Sequence, residues 1–243
     1  MDIWNSKEIA KDLMDYIHII KKYEVSSFFL SVDKLYGLAD VMPDNDYYSI
    51  ESLEVDFVNY KPISKTVPKI AHFTISLVNS LVSNPDIDIQ VNDPISEYAF
   101  DMIVTGFGAS NGDPEYKMAW HLDKDIAEEG DGPKKYSHPL YHFQYGGANI
   151  DGLETGALML MGAPRLPHPP MDIFLSIHFV FNNFFNKEED DYSCLKNLFA
   201  DEDYIDILGR AKERMWYPYF KGLTDRSNSH SELNLASLFP LAV

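Results

Sequence analysis

Positive charge is scarce in this chain. Its 243 residues carry 20 Lys and Arg against 38 Asp and Glu, a formal net charge of −18 at pH 7. Nucleic-acid affinity rests largely on basic side chains that displace counterions from phosphates. The basic spots here, Lys21-Lys22, Lys134-Lys135 and Arg210-Lys212-Arg214, are short and stand beside acids. Nucleic acid as the principal ligand is therefore disfavoured, and so is an anionic membrane surface. The charge suits solubility and a basic or cationic partner. Cysteine is scarcer still. Cys194 stands alone, so no intramolecular disulfide can form, which fits a reducing cytosol. Its neighbourhood reads as helix, where a small buried hydrophobe is the ordinary role. Long apolar runs are also missing. The longest apolar stretch, between Ile173 and Phe185, is broken by Ser176, His178, Asn182 and Asn183, so no transmembrane helix is expected. The opening residues Met1 to Glu8 lack a basic segment followed by an apolar one, so no secretory leader is read there. The expectation is a cytoplasmic protein.

Several catalytic signatures are absent as well. The chain has no Gly-x-x-x-x-Gly-Lys phosphate loop and no Gly-x-Gly-x-x-Gly dinucleotide fingerprint. It has no Gly-x-Ser-x-Gly elbow, which disfavours a conventional serine hydrolase. What is present is an ordinary globular composition, 45% hydrophobic and 24% charged, with enough chain for a substantial core.

Element by element, the chain reads as one α+β domain over 1–243. Ile9, Leu13, Ile17 and Ile20 share a face of an amphipathic helix over 6–22, with Asn5 and Glu8 as its capping box. Residues 26–41 read as the start of a sheet, and 48–60 as one or two strands. Val67, Ile70, Phe73 or Thr74, Leu77 and Leu81 predict a central helix over 64–83, ended by Asn84-Pro85. Strict alternation predicts a strand at 86–91, and further strands are expected at 99–106, 115–123, 138–146 and 154–162. Pro169-Pro170 and Asp172 suit the start of a helix over 171–186. Acidic helices split near Asp201 follow, and the apolar tail with Leu233 and Leu238 is expected to dock on the body. His230 reads as an exposed loop residue. The predicted architecture is a mainly antiparallel sheet with an N-terminal helix, a central helix and a helical C-terminal part over about 171–243.

Five of the eight histidines fall between positions 121 and 178. If 115–123 and 138–145 pair as a hairpin, alternation gathers His121, Asp123, His138, His142 and Gln144 on one face and aromatic residues on the other. Imidazoles and a carboxylate suit Zn²⁺ or Fe²⁺, and two histidines with one carboxylate form a known open site. The same groups suit general acid–base work near neutral pH. His138-Pro-Leu-Tyr-His142 is not a helical His-Glu-x-x-His motif, because Pro139 interrupts it and the glutamate is missing. His121-x-Asp123 with a later histidine is similar to the ligand pattern of iron-dependent dioxygenases. Their second histidine lies much farther along and their distal arginine pattern is missing here, so membership is not read from it. The acidic, glycine-containing segment 124–137 would suit a lid. Arg165, His168 and Asp172 form a second polar trio at a proline-stiffened loop. If that loop folds over the hairpin, Arg165 would orient an anionic substrate and His168 would shuttle a proton. A solvated sheet face with hydrogen-bonded histidines is the structural alternative.

Aromatic residues make up 14% of the chain, and Met215-Trp-Tyr-Pro-Tyr-Phe220 is the densest patch. Interfaces favour such anchors. With no complete catalytic motif, the leading expectation is an interaction or accessory subunit with a protein partner. A bacterial multi-gene setting such as defence is one conceivable context, though no residue points to it. The alternative is a metal-dependent or acid–base enzyme with His121, Asp123, His142 and His138 as metal ligands and His168 and Arg165 as catalytic groups.

Overall fold

A computed structural model of the chain describes residues 4–57, 70–89, 91–108, 115–126, 138–153, 165–188, 190–225 and 230–240. Six strands form one antiparallel meander in sequence order: β1 (Tyr47–Phe57), β2 (His72–Ser83), β3 (Ile95–Phe107), β4 (Glu115–Lys124), β5 (Tyr141–Tyr145) and the short β6 (Leu166–Pro167). Helices precede it, α1 (Ser6–Lys22) and α2 (Asp33–Val41). The rest follow it, α3 (Ile173–Phe184), α4 (Cys194–Ala200), α5 (Glu202–Thr224) and α6 (Leu235–Leu238). The fold is α+β, as expected.

Alternation decides which sheet face is covered. Phe73, Ile75, Leu77 and Leu81 of β2 are buried with Tyr98, Phe100, Met102 and Val104 of β3. The apolar α3 lies across them, with Phe179 against Phe100 and Phe143, and Phe184 against Phe73. Asp172 caps α3 by accepting from Leu175 N at 3.0 Å, and its other oxygen receives Arg214 of α5 at 2.5 Å. A buried polar seam ties sheet to helix. Tyr48 Oη donates to Asn79, Asn79 Nδ2 donates to the Met171 carbonyl, and Ile173 N donates to Tyr48 Oη. Over α3 lie α1 and α5, where Tyr16 meets Phe174 and Tyr204.

Asn5 caps α1 by accepting from Lys7 N and Glu8 N, and Asp201 caps α5, which places the expected helix split where the sequence put it. Four expectations are corrected. Residues 72–83, the larger part of the predicted central helix, form strand β2. Phe73, Ile75, Leu77, Asn79 and Leu81 all turn inward. The apolar spacing of four behind the helix reading is also even, so it satisfies a strand's period of two. Residues 86–89 form turns joining β2 to β3, with Asn84 accepting from Asp86 N in an Asx-turn. Within 26–41 only Phe29 forms a β-bridge to the sheet, a 3₁₀ turn covers Val25–Phe28, and α2 begins at Asp33. His230 is buried and accepts from Leu233 N at 2.8 Å, the reverse of an exposed loop residue. The tail does dock, with Leu233 and Leu238 buried. The strand expected at 154–162 lies outside the described residues, as do 64–69 and most of 124–137.

Candidate metal centre

The candidate site stands on the sheet face opposite α3, at the β3–β4–β5 end. Antiparallel pairing sets Asp123 opposite His142, His121 opposite Gln144, and Asp101 opposite His121. Directly opposed side chains of neighbouring strands share a face with Cβ atoms about 4.5–5.5 Å apart. The hairpin therefore gathers the residues that its alternation predicted. Ligand-capable atoms of His121, Asp123 and His142 all lie within 4.8 Å of one another. His142 Nε2 stands 3.0 Å from Asp123 Oδ1. His142 is 2% exposed, and its Nδ1 is buried with no hydrogen-bond partner. His138, from the segment leading into β5, places Nε2 3.3 Å from His142 Nε2.

The electrostatics follow from this packing. Burial pushes the Asp123 carboxyl up, but the His142 imidazole beside it, with His121 and His138, outweighs burial and holds it below its ordinary value. Asp101 goes the other way. Burial raises its carboxyl, and His121 and the Asn149 amide only partly oppose that. Asn149 Nδ2 donates to Asp101 Oδ1 at 3.0 Å.

Sequence reasoning missed three contributors. Asp101 comes from β3, which was expected as a strand, but the β3–β4 register was not legible from one chain. Asn149 and Gly147 belong to a 3₁₀ turn at Gly147–Ile150 that folds back against β4. A Cβ on Gly147 would stand 2.9 Å from His121 Nδ1, so only glycine admits this approach. Asp101, His121, Asp123, Ala148 and Asn149 line an open concavity of about 340 Å³. His121 and Asp123, both partly exposed, are among its lining residues, and the buried His142 stands beside Asp123 without lining it.

The second polar trio does not join this set. His168 lies against Phe143, ring centroids 5.4 Å apart, on the face that α3 covers. Its Nδ1 is 2.7 Å from the Pro169 carbonyl, and burial holds its pKa below that of a free histidine despite that carbonyl. Asp172 is committed to the α3 cap and to Arg214. Arg165 precedes β6, which pairs with β5 through His142 and Phe143, and its Nε is buried with no hydrogen-bond partner. The expected loop thus runs as an edge strand beside the hairpin. Among the described residues, no helix is long and apolar enough to cross a membrane. Compared with protein-family models, curated proteins and solved structures, the chain matches none.

Proposed function

We propose that this protein is a metal-dependent enzyme that binds Zn²⁺ or Fe²⁺ through His121, Asp123 and His142 and works on a ligand seated in the concavity above them. The observation that carries this reading is the convergence of two imidazoles and one carboxylate from adjacent strands within 4.8 Å. Mixed nitrogen and oxygen ligands suit these ions better than Mg²⁺ or Ca²⁺, which prefer all-oxygen shells. Three protein ligands are the hallmark of a catalytic site that keeps a position for water or substrate. Bound there, such an ion polarises a substrate carbonyl or phosphoryl oxygen and makes water nucleophilic at neutral pH. Hydrolysis is the reaction class that needs nothing further. Asp101 and Asn149 on the rim supply a carboxylate and an amide to hold a substrate's polar group.

Calorimetric titration of Zn²⁺ into chelator-treated protein tests the reading. One site per chain is expected in the wild type and none in the paired variant His121→Ala/His142→Ala. Equal heats for the two proteins would overturn it.

A protein-binding role has one observation in its favour. Tyr217 and Phe220 of α5 are 54% and 48% exposed. The stronger anchors of that patch are spent inside, since Tyr219 is buried and Trp216 Nε1 donates to the Pro170 carbonyl at 3.1 Å. The metal reading therefore takes precedence over the accessory-subunit one.

A further inference from the structure

We infer that the concavity takes a substrate with a primary ammonium group beside its reacting carbonyl, and that Asp101 receives that ammonium. The inference rests on the metal reading above and names the substrate class which that reading leaves open, amides or esters of amino-substituted acids.

The rim carries it. Asp101, Asp123 and Asn149 line the concavity with His121, and no lysine or arginine lines it among the described residues. Lys117, on the same face of β4 as His121, is paired with Glu115 at 3.0 Å. Asp101 is partly buried, and its Oδ1 accepts from Asn149 Nδ2 at 3.0 Å. Its charged surroundings are His121 and a second carboxylate, Asp123, with no lysine or arginine among them. Taking a carboxylate out of water without a cation beside it is unfavourable. The imidazole of His121 does not serve, because a histidine that ligates a metal is neutral. A bound ammonium does. Asn149 adds a second acceptor. Only its NH₂ can donate to a carboxylate, so its own Oδ1 is left to accept. Asp101 Oδ2 and Asn149 Oδ1 therefore ask for a donor with positive charge. An ammonium has three donors and no acceptor.

Charge also selects between substrate oxygens. A phosphoryl group brings negative charge, which Asp101 repels. A carbonyl is neutral and leaves Asp101 to the cation. The formal charge of −18 draws cations toward the chain. Asp101 stands directly opposite His121 on the neighbouring strand, and neighbouring strands lie about 4.7–4.9 Å apart. That spacing puts ammonium and carbonyl on one small molecule with a short carbon link between them. In the hydrolysis, the oxygen of water bonds to the carbonyl carbon. The bond from that carbon to the leaving nitrogen or oxygen breaks, and one proton of the water passes to the leaving atom. The ammonium takes no part in the bond changes and fixes which carbonyl lies at the ion.

Two metal-binding probes test the assignment. Acetohydroxamate binds zinc through its two oxygens, and aminoacetohydroxamate is the same compound with an ammonium added. Each would be titrated calorimetrically into zinc-loaded wild type and Asp101→Asn, at a pH where the amine is protonated. The wild type should bind aminoacetohydroxamate at least about tenfold more tightly than acetohydroxamate, as one hydrogen bond to a charged group contributes. Asp101→Asn, which keeps the side chain's volume, should bind the two probes alike, and acetohydroxamate no more weakly than the wild type does. A preference that survives Asp101→Asn would put the amine on the ion and overturn the inference. Equal affinities in the wild type, or binding of neither probe by the zinc-loaded protein, would overturn it too and leave the metal reading intact. If Asp101→Asn does not fold, the trimethylammonium form of the probe decides on the wild type, because its nitrogen has no lone pair for the ion. Tighter binding than acetohydroxamate then supports Asp101 as the seat of the cation, and equal or weaker binding overturns it. A wild type that takes up no zinc ends both readings.

Discussion

Gly147 fixes where the His121 ring can lie. Its φ of +73° falls in the left-handed region, and a Cβ there would approach His121 Nδ1 to 2.9 Å. The substitution Gly147→Ala should therefore act twice. An L-residue forced into that region costs about 1–2 kcal/mol, readable in urea unfolding of chelator-treated protein. The displaced imidazole should also weaken Zn²⁺ binding, which an effect confined to backbone strain would leave alone. His178 gives a prediction that does not involve the metal. Its Nδ1 is 2.9 Å from Tyr204 Oη, and its Nε2 stands at the Asn182 amide. Burial, helped by Lys212, lowers its pKa to about 4 from an ordinary 6.5. A histidine in the unfolded chain takes up a proton at higher pH than the folded one does. Between those two values the unfolded state binds more protons, so stability falls as pH drops through the window. Unfolding free energies measured at pH 7.5 and pH 4.5 should differ less in His178→Gln than in the wild type. An unchanged difference would remove His178 from the acid response.

At the scale of elements, the hairpin was legible and its neighbours less so. The alternation of β4 and β5 alone sorts His121, Asp123 and His142 from Trp120, Leu122 and Phe143, because a period of two admits no other sorting once the strands pair. β2 was misread because Phe73, Leu77 and Leu81 repeat every four residues, a spacing that both regular structures accept. Its flanking Thr74, Ile75, Val78 and Val82 were the signal for a strand. The fate of the Arg165–His168 loop was not legible at all. Whether a stiff loop crosses a face or runs along an edge depends on which strand edge is free, and that is a property of the assembled sheet. The aromatic patch of α5 shows the same limit, since helical phase divides it into inside and outside. Tyr219→Ala should destabilise the fold by about 3 kcal/mol or more, as truncation of a buried aromatic does. Tyr217→Ala and Phe220→Ala should each stay within about 0.5 kcal/mol, as exposed positions do. Equal effects from all three in thermal unfolding would contradict the burial that separates them.

Across the whole molecule, the two faces of the sheet divide the work. One face carries the helices and nearly all of the core. Around β3–β5 the other carries the polar cluster, flanked among the described residues by the 3₁₀ turn and the segment that holds His138. The formal charge of −18 adds a long-range pull on divalent cations that weakens as salt screens it. On the proposed function, His121, Asp123 and His142 hold a metal ion. Elemental mass spectrometry of untagged protein purified natively without chelator tests it most directly, with His121→Ala/His142→Ala purified alongside. Close to one zinc or iron per chain is expected in the wild type and a background level in the variant. Background levels in both, persisting after incubation with Zn²⁺ and with Fe²⁺ under anaerobic conditions, would contradict it.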